Sequence, residues 1–358
     1  MTDYRDLLPR LLPNRVWRTY RGGRVLDQWE GKTAPADGSF PEDWIGSTVR
    51  AINIGREELR EGVSRVRLGG VEADLDGLVA ADPDWWLGPE AAGWGGRPPL
   101  LVKFLDSAIR LHFQVHPTRE FARARLNAPS GKAEAYLILA TRPEVTDPYL
   151  YLGFQRPPSR AQLKDLIERQ DVAALEACFD RIPVSPGDCL VVPGGRPHAL
   201  GEGLMLMEIM EPSDLAVRFE FERGGSVLPE AARFLGRGLD FCLDVFDLSP
   251  ISVEEVRARH AARPRLLRTF GERAWLEEWV GPELTPCFRV RQGRYGEAVT
   301  RHGEMFIGVV LHGRGRIRTA REVVEIGPRD RFWWPAGLEA VIEPEPSLTL
   351  LECTGPAV

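Results

Sequence analysis

Two stretches of this 358-residue chain can be laid over one another without a gap: GDCLVVPGGRPHA at 187–199 and RDRFWWPAGLEA at 329–340. Asp188 meets Asp330, Pro193 meets Pro335 and Gly195 meets Gly337, while His198 falls on Ala340. Each stretch reads as a strand running into a tight turn, where glycine takes backbone angles that other residues resist. A chain that repeats this unit is constrained to build two copies of one β architecture, and only the first copy kept a histidine in its turn. The remainder agrees. Its 36 glycines and 29 prolines cut the sequence into short segments, many of which read as strands: RLHFQVH, AEAYLILA, DCLVVP, LMLMEIM, LAVRFEFE, FRVRQGRY, FIGVVLHG, RFWWPAG and LTLLEC. Short strands divided by turn residues predict sandwiches or barrels, and the length allows more than one core.

One helical insertion interrupts the strands at about 157–181. Ser159 and Gln162 form a capping box, and Leu163, Leu166, Ile167, Leu175, Cys178 and Phe179 keep roughly a 3.6-residue period, with a break near Gln170-Asp171. A second helical stretch is expected from Pro229 to about Phe246. In the first hundred residues DPDWWLGPEAAGWGG holds three of the ten tryptophans, read as packing or a lid.

Composition narrows the function. The chain is 43% hydrophobic and 27% charged, has no apolar run of membrane-span length, and starts without signal-peptide features, so a cytoplasmic location is expected. Its five scattered cysteines form no Cys-x-x-Cys pair, so neither a zinc knuckle nor a disulfide framework is indicated. A net charge of −6 argues against general nucleic-acid binding and leaves any anionic substrate dependent on a local basic pocket.

Candidate chemistry concentrates in LHFQVHP (111–117), which holds two of only six histidines. As a strand it places Leu111, Phe113 and Val115 on one face and His112, Gln114 and His116 on the other. Gln114 and His116 are then about 6.5 Å apart, a span that one metal ion bridges. GKAEAYLIL sets Lys132 and Glu134 on one face of another strand. In GDCLVVPGGRPH the spacing Gly, five residues, Pro-x-Gly, two residues, His resembles the second signature of the cupin fold, a small jelly roll, and aims His198 into a barrel mouth. Gln114, His116, Glu134 and His198 together suit Zn²⁺ with an open position, and would also accept Mn²⁺, Co²⁺ or Fe²⁺. Asp214 and Arg218 follow in MEIMEPSDLAVRFE, and an arginine fork suits a phosphate or a developing oxyanion.

Taken in order, PLLVKFLD, QVHP, GKAEAYLIL, VSPGDCLVVPGGRPHAL and EIMEPSDLAVR resemble the type I mannose-6-phosphate isomerases, a zinc-dependent bicupin family. The likeness is close over about 98–220, loose in the C-terminal part and weak in the first hundred residues. It implies one zinc per chain on Gln114, His116, Glu134 and His198. It implies Lys103, Lys132 and Arg218 in phosphate binding and proton transfer, and puts Asp214 at the family's active-site aspartate. Three positions depart from the family pattern. His112 stands where a small Ser near the phosphate is usual, Arg196-Pro197 replaces a Thr-Val-like pair, and EPSD replaces SSD. His112 and Arg196 are therefore expected to shape the substrate pocket rather than bind metal.

The expected architecture is mainly β: a metal-binding cupin-type double-stranded β-helix at 1–250, a connecting segment at 251–283 and a metal-free cupin at 284–358. The resemblance implies interconversion of mannose 6-phosphate and fructose 6-phosphate through a cis-enediol, on a small sugar phosphate as sole partner, by a monomer or homodimer. Lys132, Asp214 or a metal-bound water could serve as the base. The alternatives are a cupin isomerase for another sugar or sugar phosphate, and a non-catalytic sugar-binding bicupin. An oxygenase would favour three His and one Glu around iron.

Overall fold

The computed structural model describes residues 4–356, so the outermost residues of the two expected units, 1–3 and 357–358, lie outside the described residues. In the first unit a six-stranded antiparallel sheet runs in the order Cys189–Val192, Glu134–Thr141, Leu204–Met210, Leu101–Asp106, Glu42–Ile45 and Arg15–Val16. A five-stranded sheet faces it, ordered Ile182–Pro183, Tyr149–Leu152, His198–Leu200, Gln114–Val115 and Val217–Arg218.

Alternation along the strands divides their side chains between two cores. Leu105, Tyr136, Ile138, Leu190, Val192 and Leu206 meet Leu150, Leu152 and Leu200 inside the jelly roll. Their neighbours Phe104, Ala135, Leu137, Cys189, Val191 and Met207 turn outward, into a cluster shared with Val290, Ile307, Val309, Trp333 and Leu351 of the second unit. LMLMEIM is apolar almost throughout because both faces of its strand are covered.

The second unit is an eleven-stranded antiparallel sheet. It runs from Arg265–Thr269 and Ala274–Val280 through Arg289–Tyr295, Ala340–Thr354, Phe306–Arg318 and Arg331–Trp334 to Arg10–Leu11, Arg65–Leu68 and Val71–Asp74, with Val299–Arg301 and Val323–Ile326 paired at its sides. The expected connecting segment 251–283 thus contains a helix, Val253–His260, and two strands of this sheet. Short strands from the first hundred residues join both units, and Arg10 pairs with Phe332. The sheets therefore do not divide the chain at 250 and 284. Two-residue strands such as Arg10–Leu11 are held by partners more than fifty positions away, which no local pattern displays.

The repeat seen in the sequence is also a repeat of hydrogen bonds. Asp188 accepts from Ser185 N at 3.0 Å, and Asp330 accepts from Gly327 N at 2.8 Å. Ile138 exchanges backbone bonds with Gly187 and Asp188, as Val310 does with Arg329 and Asp330.

The helical insertion comprises Arg160–Arg169 and Val172–Glu176, divided at Gln170, whose φ is 52°. Its Leu163, Ile167 and Leu175 cover the outer face of the five-stranded sheet against Phe113, Val115, Tyr151 and Val217. Ser159 and Gln162 form the capping box. Ser159→Ala should cost about 1 kcal/mol in urea unfolding; an unchanged midpoint would show that the sheet alone holds this helix.

The helix expected over 229–246 is instead three short turns, Glu230–Ala232, Leu239–Cys242 and Leu243–Val245. Leu235, Gly236 and Gly238 take φ values of 53°, 68° and 81°, which end any helix there. The tryptophan-rich segment is packing, not a lid. Trp86 is fully buried against Trp333, and the carbonyls of Trp85 and Trp86 accept from Gly337 N and Ala336 N of the second unit.

Candidate metal centre and cavity

LHFQVHP is a strand only at Gln114–Val115. Upstream, Leu111 N still donates to Leu200 O and Phe113 O still accepts from Phe219 N, and side chains take the other backbone groups: Glu220 accepts from Phe113 N at 3.0 Å, and Arg110, paired with Glu220, donates to Leu111 O at 2.8 Å. Leu111 therefore joins the jelly-roll interior, whereas Phe113 and Val115 pack outside under the helices. The three do not share one face.

Gln114 lies directly opposite His198 on one neighbouring strand and Arg218 on the other. His116 follows at the strand end, and the His198 turn is folded onto it. Gly195, with φ 87°, donates to His116 O at 2.7 Å, and a Cβ on Gly194 would stand 2.8 Å from Thr118 Cα and 2.9 Å from Pro117 O. From the facing sheet Glu134 projects into the same space. Ligand atoms of His116, Glu134 and His198 lie within 4.8 Å of one another, and all three residues are buried.

The imidazoles are oriented alike. His116 Nδ1 lies 2.8 Å from Leu215 O, and His198 Nδ1 lies 2.9 Å from Arg196 O. Each Nδ1–H is thereby spent on a carbonyl, and each Nε2 turns its lone pair toward Glu134, at 3.3 and 3.5 Å. Two imidazole lone pairs and a carboxylate thus converge on one space, as metal ligands do. Gln114 Nε2 is 3.3 Å from His198 Nε2, and a half-turn of the amide would bring its oxygen there. Two imidazoles, a carboxylate and an amide oxygen fit zinc. Lys132 Nζ stands beside them, bonded to Glu134, 3.2 Å from His116 Nε2 and 3.4 Å from Glu208. Burial next to the Lys132 ammonium pushes the His116 imidazole down to about 3.

The cluster adjoins a narrow cavity between the sheets, lined by Arg18, Tyr20, Glu42, Lys103, His112, Gln114, Lys132, Tyr136, Glu208, Asp214 and Arg218. Pairing sets Lys103, Glu208 and Tyr136 in one row across the six-stranded sheet. Lys103 Nζ is 3.0 Å from Glu208 and 3.5 Å from Glu42. Burial would lower this ammonium, but the two carboxylates raise it above its ordinary value. Burial and the Glu134 carboxylate push Glu208 up to about 8. Asp214 receives both terminal nitrogens of Arg18 at 3.1 Å and Ile52 N at 2.8 Å. Burial raises its pKa, but Arg18 and the lysines more than offset this and hold it below the usual range. Arg218 differs. It donates to Ala232 O at 3.1 Å and has no carboxylate within ion-pair distance among the described residues. Burial lowers it from its ordinary value.

Of the residues singled out in the sequence, Lys103, His112, Gln114, Lys132, Asp214 and Arg218 line this cavity, and His116, Glu134 and His198 cluster behind its wall, against Gln114 and Lys132. Arg196 does not reach it: it donates to Ser249 O at 2.9 Å and pairs with Asp247 at 3.1 Å, anchoring the outside of the turn. Arg18, Tyr20, Glu42 and Glu208 were not anticipated. Glu208 had a signal, a lone carboxylate within LMLMEIM. Arg18, Tyr20 and Glu42 had none, because their partners come from irregular, distant segments.

The same register identifies the corresponding positions in the second unit. Arg301 pairs with Ala340 as Gln114 pairs with His198, and Phe306 pairs with Trp334 as Glu134 pairs with Val192. Gln114, His116, Glu134 and His198 thus match Arg301, Gly303, Phe306 and Ala340, while Glu208 matches Glu352. The Arg301 guanidinium bonds Glu352 at 2.8 and 3.0 Å, Tyr295 OH donates to Glu352 at 2.6 Å, and the Phe306 ring lies 5.2 Å away. An arginine fork fills the space where the first unit gathers metal-ligating atoms.

No family model matches the chain. The mannose-6-phosphate isomerase ManA of Bacillus subtilis (strain 168) is 26% identical over 249 residues, 68% of this chain and 71% of that protein. The mannose-6-phosphate isomerase of Streptococcus mutans serotype c is 32% identical over 217 residues, 60% and 61% of the two chains. Among solved structures, the mannose 6-phosphate isomerase of Bacillus subtilis superposes with a TM-score of 0.72 over 97% of this chain and 99% of its own, at 21% identity. A mannose 6-phosphate isomerase bound with zinc and yttrium does so with a TM-score of 0.65 over 97% and 99%, at 14% identity. In sequence, then, the chain is a relative of the mannose-6-phosphate isomerases, and it shares their cupin fold.

Proposed function

We propose that this chain is a metal-dependent isomerase that interconverts mannose 6-phosphate and fructose 6-phosphate. The observation that carries the reading is the convergence of His116, Glu134 and His198 behind Gln114 and Lys132 of a cavity whose wall also presents Arg218, without a carboxylate partner among the described residues. Gln114, His116, Glu134 and His198 would hold the zinc, which when bound supplies positive charge beside an oxygen that gains negative character. The named relatives and the zinc-bound neighbour support this assignment.

The reaction moves one proton between two adjacent carbons, so the sugar must be held with those carbons beside Gln114 and Lys132. Arg218, whose guanidinium donates to Ala232 O but has no carboxylate partner among the described residues, takes the phosphate with its remaining donors. Lys132 Nζ, next to the cluster, holds a proton against the reacting oxygens. Asp214 acts as a positioning residue, since its oxygens are engaged by Arg18 and Ile52 N. Lys103 keeps its charge between Glu208 and Glu42 and balances the carboxylates of the wall. Five buried free cysteines suit a cytoplasmic setting, and a small sugar phosphate is the partner in this reading. No helix among the described residues is long and apolar enough to cross a membrane.

A coupled assay from mannose 6-phosphate to fructose 6-phosphate, run on protein of measured zinc content, tests the proposal. Absence of turnover by fully metallated protein would overturn the substrate assignment. Arg218→Gln removes a charged donor and should lower kcat/KM by about 10- to 100-fold, the cost of one hydrogen bond to a charged group. Part of that loss should be in kcat, because remote binding energy holds the reacting carbons in place. An equal loss on unphosphorylated mannose would remove Arg218 from the phosphate.

A further inference from the structure

Between the outer faces of the two units lies a second cleft, of about 640 Å³, which no residue of the metal cluster lines. Its size is that of a small-molecule site. The opposing walls are built from two copies of one turn. Leu137, Leu139 and Gly187 line the cleft from the first unit, and the matching Val309, Leu311 and Arg329 line it from the second. Trp29 and Trp279 add aromatic surface to these aliphatic walls.

The two turns keep the same backbone and differ in what they present. Gly187 N donates to Ile138 O and Arg329 N to Val310 O, both at 2.8 Å, and the two residues take left-handed φ values of 96° and 75°. Glycine adopts that conformation freely, whereas arginine holds it against its own Cβ. Little inside the protein explains the exception. The Arg329 side chain is exposed, makes no hydrogen bond or ion pair with any described residue, and places its guanidinium 5.6 Å from the centre of the Trp29 ring. A strained backbone that presents an unpaired cation points to a role outside the fold.

Charge and shape restrict what the cleft can take. Arg294 and His312 line it besides Arg329, and no carboxylate does among the described residues, in a chain of net charge −6. Arg294 already faces Glu277 at 3.5 Å, so Arg329 is the arginine left open. A bare anion would leave the tryptophan and leucine surfaces wet, and an uncharged apolar molecule would leave the guanidinium without a partner. A carboxylate carried on a flat apolar body satisfies both, since the arginine fork matches its two oxygens and the indoles pack against its rings.

We infer that this cleft binds an aromatic carboxylate, held by Arg329 at its charged end and by Trp29 and Trp279 along its rings. The inference does not depend on which sugar the first unit takes.

Titration calorimetry of the whole protein with 2-naphthoate and with uncharged 2-naphthylmethanol tests it. The wild type should bind 2-naphthoate saturably, and excess inorganic phosphate should not displace it, which separates this cleft from the cavity at Arg218. Arg329→Gly should weaken 2-naphthoate about 10- to 100-fold, the value of a hydrogen bond to a charged group, and leave 2-naphthylmethanol unchanged. Arg329→Lys, which keeps the charge without the fork, should recover part of the loss. Because glycine relieves the left-handed backbone, Arg329→Gly should unfold in urea at a midpoint no lower than that of the wild type. Four results would overturn the inference: no saturable binding of 2-naphthoate, its displacement by phosphate, an equal loss for both probes, or a lowered midpoint, which would make Arg329 a stabilising residue instead.

Discussion

His198→Ala should emerge from purification with almost no zinc and with turnover reduced about 1000-fold, as expected when several kcal/mol of charge stabilisation are lost. The imidazole is held in place for one purpose. Its Nδ1 is anchored to Arg196 O, and its Nε2 stands 3.3 Å from Gln114 and 3.5 Å from Glu134. Alanine removes both the lone pair and its anchor, leaving His116 as the sole imidazole of the set. The backbone that carries it should persist, because Gly195 and its bond to His116 O do not depend on the side chain. Circular dichroism of the variant should match the wild type while metal analysis and the coupled assay both fall. Stoichiometric zinc in this variant would show that the four residues are not the ligand set.

The second large effect lies in the other unit. Arg301→Met leaves the Glu352 carboxylate, 1% exposed, without its cation, and breaking a buried pair in this way should cost about 3–5 kcal/mol of stability. Tyr295 would still donate to Glu352, and Glu304 would keep Arg291, so the damage is specific to the buried charge. The double variant Arg301→Met with Glu352→Gln should recover much of the loss, since removing both charges removes the unpaired one. Chemical denaturation measures both. If the single variant unfolds at the wild-type midpoint, the pair contributes nothing to the barrel. The folded fraction should keep its zinc, because no ligand comes from this unit.

Much of this arrangement was legible from the sequence, for reasons that are themselves physical. The gapless match of 187–199 to 329–340 was readable because a strand, a tight turn and a bond from the backbone three residues upstream to Asp188 or Asp330 are all local. Gln114, His116, Glu134 and His198, which the structure brings together, could be picked out because polar side chains able to ligate a metal are rare at two-residue and turn spacings in otherwise apolar strands. The helical insertion showed its cap and its break for the same reason.

What could not be read depends on distance along the chain. Arg18 meets Asp214 across nearly two hundred positions, and Arg110 meets Glu220 across about half as many, from segments that carry no periodic pattern. The second of these pairs engages Phe113 N and Leu111 O, so regular strand pairing begins only at Gln114 and Leu111 lies off the face assigned to it. Arg196 misled because it adjoins His198 in sequence, whereas a side chain two residues from an inward histidine, across a proline, turns outward to Asp247. The stretch 229–246 looked helical by composition, but its left-handed residues at 235, 236 and 238 outweigh the helix formers.

The arginine in the second barrel has a further consequence. A bound ion can be chelated, exchanged or starved away, and in the proposed reading the first barrel's inner charge is hostage to its supply. A guanidinium is covalently part of the chain and leaves only if the chain unfolds. The two halves of one duplicated architecture therefore answer to different environments, one to the availability of metal and the other to the cohesion of its own core.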